Sequence, residues 1–127
     1  MRKVLVADDD PGVRTLISAI IRRKGEFLIT ETSSLAEASY LCTENKFDLI
    51  FLDHNLNDGI GWEVAEMISL DPRKYGNPMI VAMSGSVPQE RATKCGVHYS
   101  QFMPKPFDVA QIKGILEKLP KESSNGK

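Results

Sequence analysis

Three carboxylates in a row, Asp8, Asp9 and Asp10, follow the apolar run "VLVA". Charges of one sign that close together repel unless an opposite charge holds them. Asp53 stands after a second apolar run, "LIFL", Ser84 after a third, "MIVAM", and Lys105 after "QFMP". A hard divalent cation such as Mg²⁺ takes oxygen ligands, commonly one or two carboxylates together with phosphate oxygens. A cation beside an ammonium and a hydroxyl neutralises the equatorial oxygens of a transferring phosphoryl group, and a free carboxylate can attack it. These residue types point to phosphoryl chemistry, provided that the fold brings them together.

The elements that must do so are legible. "KVLVA", "DLIFL" and "PMIVAM" are continuous apolar runs, which suit strands of a parallel sheet covered on both faces. Val13, Leu16, Ile17, Ile20 and Ile21 recur at helical spacing between Pro11 and Gly25, which predicts a helix with proline near its start and glycine after its end. Further helices are predicted over "SLAEASYLCTEN", where Ser34 and Glu37 form a capping pattern, over "WEVAEMISL", and over "DVAQIKGILEKL", where Asp108 caps and Gln111 lies three residues on. Weaker strands, "EFLIT" and "QFMP", complete an alternation of β and α about five times. The expected fold class is therefore α/β, a single (βα)5 doubly wound domain with helices on both faces. In open sheets of this type ligands bind beyond the carboxyl ends of the strands, where Asp8, Asp9, Asp10, Asp53, Ser84 and Lys105 all fall.

With 127 residues the chain fits one domain, read here as 1–120, followed by a polar tail, 121–127, or the start of a linker. A net charge of −1 with scattered Lys and Arg offers no basic stripe, so direct nucleic-acid binding is not expected. No apolar run approaches the ~20 residues of a membrane span and "MRK" leads straight into a strand, so no membrane association and a cytoplasmic location are expected. Cys42 and Cys95 lack metal-site spacing and read as buried thiols.

At these positions the chain resembles the receiver domain of two-component response regulators, the CheY-like superfamily. The resemblance rests on "DDDP" (Asp8–Pro11), the strand-end Asp53, "MSG" at Ser84 and "KPF" at Lys105–Phe107, and it covers nearly the whole chain. It implies a flavodoxin-like five-stranded sheet of order 2-1-3-4-5. It further implies a signalling phosphoacceptor rather than an enzyme: Asp53 takes a phosphoryl group from a histidine kinase or histidine phosphotransfer protein. Mg²⁺ (or Mn²⁺) would be bound by Asp8, Asp9, Asp53 and the Asn55 backbone carbonyl. Lys105 would pair with Asp53 and then with the phosphate, Ser84 and Phe102 would form the switch, Asn55 and Ser86 would tune hydrolysis, and the bond to Pro106 would be cis. An unidentified downstream protein and a phosphorylation-dependent homodimer are implied as partners.

The chain also departs from the family pattern. Asn57 replaces a usual proline, which predicts a looser loop, although Gly59 and Gly61 keep the turn into the third helix feasible. The segment "SGSVPQERATKCGV" is short, so the helix between the fourth and fifth strands is expected to be shortened or displaced. Phe102 lacks a hydroxyl, leaving packing alone to separate its states. Asp10 reads as a helix cap, His54 and His98 as loop residues without a role, and Trp62 as a packing residue close to Asp53. Two rival readings stay open. One is a haloacid-dehalogenase-like phosphatase with Asp8 as nucleophile, which "VLVADDDPG" also resembles; the other is a receiver-like binding module indifferent to phosphorylation.

Overall fold

The structure, a computed structural model, describes residues 1–85 and 99–119. Five parallel strands form one sheet: β1 (Arg2–Ala7), β2 (Phe27–Thr32), β3 (Leu49–Asp53), β6 (Met79–Ser84) and β7 (Gln101–Pro104), in the order β2-β1-β3-β6-β7. Counting these five alone, the order is the expected 2-1-3-4-5. The helices are α1 (Pro11–Lys24), α2 (Leu35–Glu44), α3 (Trp62–Leu70), a short α4 (Pro72–Tyr75) and α5 (Val109–Lys118). The helix expected between β6 and β7, with Ser86, Cys95 and His98, and the tail 121–127 lie outside the described residues.

The strand period of two divides the core into halves. Val4, Val6, Leu49, Phe51, Val81 and Met83 face α1 and α5, meeting Ile17, Ile21, Ile112 and Ile115. Leu5, Ala7, Ile50, Leu52, Ile80 and Ala82 face the other way, onto Ala38, Val64, Ala65 and Ile68 of α2 and α3. Both faces are covered, which is why these strands read as unbroken apolar runs. Cys42 is buried in the second half, and burial pushes its thiol up to about 11, so it is inert packing.

Local chemistry sets the helix ends. The Asp10 carboxylate accepts from the Gly12 N–H at 2.8 Å with Pro11 as the first helical residue, and Arg22, Arg23 and Lys24 fill the last turn of α1. Ser34 accepts from the Glu37 N–H, and Asp108 and Gln111 close a reciprocal capping box on α5.

Two regions differ from the sequence expectation. The loop after Asp53 is tighter than Asn57 predicts: β4 (Asn55–Leu56) and β5 (Gly59–Ile60) pair antiparallel, and the intervening Asp58 carboxylate accepts from the N–H groups of Leu35 and Ala36 at 2.9 and 3.0 Å. A side chain on this hairpin thus satisfies open donors of α2, which the missing proline does not disturb. Helix α4 was not expected either, although Asp71 as cap, Pro72 at its start and Gly76 after its end, at φ 79°, are its sequence signals.

Candidate functional site

The carboxyl ends of β1, β3, β6 and β7 bring the strand-end residues to one crevice. Asp8 follows β1 and is fully buried, Asp53 ends β3 at 5% exposure, and Asp9 is more open than either. One carboxylate oxygen from each of Asp8, Asp9 and Asp53 lies within 4.8 Å of the others. Three hard oxygen donors that close fit a divalent cation of the Mg²⁺ type. The structure thus assembles the acidic cluster expected from the sequence.

Lys105 enters from the end of β7. Its Nζ donates to Asp8 Oδ2 at 2.7 Å and to Asp53 Oδ2 at 3.5 Å, so in this state its nearer partner is Asp8 rather than the expected Asp53. The peptide bond between Lys105 and Pro106 is cis, and the Lys105 N–H donates to the Ser84 carbonyl at 2.9 Å. Asp8 is held on every side. Its Oδ1 accepts from the Asp10 N–H at 2.9 Å, its carbonyl accepts from Arg14 Nη1 at 2.6 Å, and its own N–H donates to the Thr32 carbonyl at 3.0 Å. Arg14 is in turn paired with Glu31 at 3.5 Å, and Ser18 donates to the same Glu31 at 2.8 Å.

Burial pushes the Asp53 carboxyl up to about 6, and the neighbouring Asp8 charge adds to this; the Lys105 charge and the Asn55 N–H, which donates at 3.2 Å, act in the opposite sense. For Lys105, burial acts to lower the pKa, but the hydrogen bond to Asp8 and the charges of Asp53 and Asp8 outweigh it, and the net direction is up. A carboxylate made reluctant to ionise, next to a firmly charged ammonium, marks a site organised around anion chemistry.

The other expected residues that the structure describes lie on the neighbouring elements. Ser84 is buried at the end of β6, one residue beyond Met83, the β6 partner of Asp53. Phe102 lies on β7 opposite Ala82, partly buried against the core half that contains α2 and α3. Asn55 opens the hairpin two residues after Asp53. Gly61 has an ordinary φ of −55°, so its role is space rather than backbone freedom: a Cβ there would stand 2.5 Å from the Asp53 carbonyl oxygen.

Sequence reasoning missed His54. It lies in the bend between β3 and β4, as a loop residue should, but it is only 6% exposed, and its Nδ1 shares a hydrogen bond with the Tyr99 hydroxyl at 3.1 Å. The signal was available, because Ile50, Leu52 and His54 share one strand parity and the first two point into the core. Trp62 packs edge-on against Tyr99, with ring centroids 5.5 Å apart. Arg14 and its Glu31 anchor also went unremarked.

The model of the response regulator receiver domain matches residues 4–117. The chain belongs to the response regulator receiver family. The receiver is 29% identical over 126 residues to the sensory transduction protein LytT of Bacillus anthracis, a match covering 98% of this chain and 50% of that protein. It spans about half the length of the curated LytT relatives that it matches. Among solved structures, the chemotaxis protein CheY4 of Vibrio cholerae superposes with a TM-score of 0.82 at 22% identity, covering 94% of this chain and 99% of that one. The beryllofluoride-activated NtrC4 receiver domain dimer superposes with a TM-score of 0.81 at 25% identity, covering 92% and 94%. The receiver is thus a signalling domain of two-component regulators with a flavodoxin-like fold. No helix among its described residues is long and apolar enough to cross a membrane.

Proposed function

We propose that Asp53 is the phosphoacceptor of this receiver, supplied by a histidine kinase or a histidine phosphotransfer protein. The observation that carries the reading is the cluster itself: three carboxylates with oxygens within 4.8 Å, served by one ammonium at 2.7 and 3.5 Å. In the transfer, an Asp53 oxygen forms a bond to phosphorus while the bond from phosphorus to the donor's imidazole nitrogen breaks, and the electron pair returns to that nitrogen. Asp8, Asp9, Asp53 and the Asn55 carbonyl would hold Mg²⁺ or Mn²⁺, which supplies positive charge to the phosphoryl oxygens. Lys105 neutralises part of the same charge from the β7 side. The acyl phosphate carries roughly −1.5 to −2 charge, and Lys105 turns from Asp8 towards it.

Ser84, at the neighbouring strand end, then donates its hydroxyl to a phosphoryl oxygen, and Phe102 moves further into the core, changing the face presented to a downstream protein or to a second receiver. Asn55 and Ser86 tune hydrolysis of the acyl phosphate. This chemistry takes place in the cytoplasm, and with its Lys and Arg scattered the chain does not itself bind nucleic acid. A phosphatase using Asp8 as nucleophile is disfavoured because it would leave Asp53, gathered into the same carboxylate cluster, without a role.

Incubation with Mg²⁺ and a small acyl phosphate, followed by intact mass, tests the reading. A labile phosphoryl adduct that requires Mg²⁺ and disappears in Asp53→Asn is the expected result. An adduct lost in Asp8→Asn but retained in Asp53→Asn would move the chemistry to Asp8. No adduct in the wild type would leave a binding module that works without phosphorylation.

A further inference from the structure

His54 lies between the acceptor Asp53 and Asn55, so whatever fixes His54 fixes both ends of the acceptor loop. Its main chain is clamped on two sides: the N–H donates to the Met83 carbonyl at 2.8 Å, and the carbonyl accepts from the Gly61 N–H at 2.8 Å. Its side chain is held from much farther along the chain, by the hydroxyl of Tyr99.

Tyr99 is anchored at the opposite end of the sheet. The next residue, Ser100, donates its N–H to the Ile80 carbonyl at 2.8 Å and accepts the Ile80 N–H on its hydroxyl at 3.0 Å, near the start of β6. The His54 main chain meets β6 at Met83, three residues further on, or about 10 Å along a strand. The Tyr99 side chain therefore runs under the sheet as a strut, from the amino end of β6 to the acceptor loop. His54 and Tyr99 are each 6% exposed, and the rings of His54 and Trp62 both stand steeply against the Tyr99 ring, with centroids 6.1 and 5.5 Å away. In surroundings this dry, a hydrogen bond has a preferred geometry that water does not loosen.

The geometry points to Tyr99 as a positioning residue that acts through His54 to hold Asp53 and the Asn55 carbonyl in register for the cation and the phosphoryl group. It rests on the phosphoacceptor reading for the site it serves. Tyr99 touches no reacting atom; it sets where the loop stands. Because it also begins the run into β7, displacement of the loop on phosphorylation pulls directly on this segment, along a route separate from Ser84 and Phe102.

The test compares wild type, Tyr99→Phe, His54→Leu and the double variant by calorimetric Mg²⁺ titration, by the rate of adduct formation from a small acyl phosphate, and by Tm. Loss of the hydroxyl in Tyr99→Phe, which keeps the ring, is expected to weaken Mg²⁺ binding and to slow the adduct rate by about three- to tenfold each. His54→Leu should do the same, and the double variant should lose no more than the worse single one, because both act along one path. A fall in Tm with Mg²⁺ affinity and rate both within about twofold of wild type would reduce the pair to packing and overturn the inference, as would losses that multiply in the double variant. If His54→Leu does not fold, Tyr99→Phe alone decides. A wild type that binds Mg²⁺ but forms no adduct would defeat the phosphoacceptor reading, and the Mg²⁺ titrations would still decide the role of Tyr99.

Discussion

The Lys105 ammonium sits 2.7 Å from the fully buried Asp8 and 3.5 Å from Asp53. Its first partner is therefore Asp8, and it remains within reach of Asp53.

Lys105→Met leaves the Asp8 charge buried without its closest counter-charge. Removing one partner of such a pair costs more than the pair contributed, and with Lys105 partly open to solvent the expected loss is about 2–3 kcal/mol. Urea unfolding at pH 7 measures it. Added Mg²⁺ should recover part of the loss, because it restores positive charge to the cluster. No loss in chelator would mean that the ion pair between Lys105 and Asp8 contributes nothing to stability.

The raised Asp53 carboxyl makes the cation-free fold sensitive to pH in a definite direction. Its folded value of about 6 lies above the ordinary 3.8, so the fold favours the protonated form. That contribution is fully present below about pH 4 and is lost as pH rises through about 6. Asp53→Asn removes the effect, so in chelator the variant should be more stable than wild type at pH 7, by on the order of 1–2 kcal/mol once solvent at the mouth of the site is allowed for. The two Tm curves should converge towards pH 4. Parallel curves across that range would contradict the assigned cause.

Gly61→Ala tests the close approach of α3 to the end of β3. The new methyl would meet the Asp53 carbonyl oxygen at 2.5 Å and Leu52 Cγ at 3.1 Å, and backbone cannot swing aside as a side chain can. A destabilisation of about 1–3 kcal/mol is expected in urea, with weaker Mg²⁺ binding because Asp53 is the group displaced. Unchanged stability would show that the strand end yields freely.

Asp58→Ala removes the carboxylate that accepts two N–H groups at the start of α2. Those bonds hold the Asp58 carboxyl below its usual range, so the stabilisation is present above that range and is lost as pH falls through the depressed value. The variant should melt at a lower temperature than wild type at pH 7, and the gap should close in acid. A gap that persists in acid would mean that the side chain acts by packing.

Much of this protein could be read before it was folded. The apolar runs at Val4, Leu49 and Met79, and the helical spacing from Val13 to Ile21, specify their elements because a two-residue and a 3.6-residue period cannot be satisfied together. Caps at Asp10, Ser34 and Asp108 act over two or three residues, within reach of sequence inspection. Even the gathering of Asp8, Asp53, Ser84 and Lys105 followed, since parallel strands carry all their carboxyl ends to one edge.

Tertiary structure alone decided which of these groups touch. The bonds from Lys105 to Asp8, between His54 and Tyr99, and from Leu35 to Asp58 join residues 97, 45 and 23 positions apart. No local period encodes such pairs, because they depend on how strands stagger and how helices lean, to within an ångström. Sequence by itself determined that an acidic crevice would form at the carboxyl edge of a parallel sheet. Only the packed chain settled that Lys105 serves Asp8 first, that the Asn55–Ile60 hairpin caps a neighbouring helix, and that His54 is bonded to Tyr99 in the core, since each is fixed by the distance between side chains brought together from remote elements.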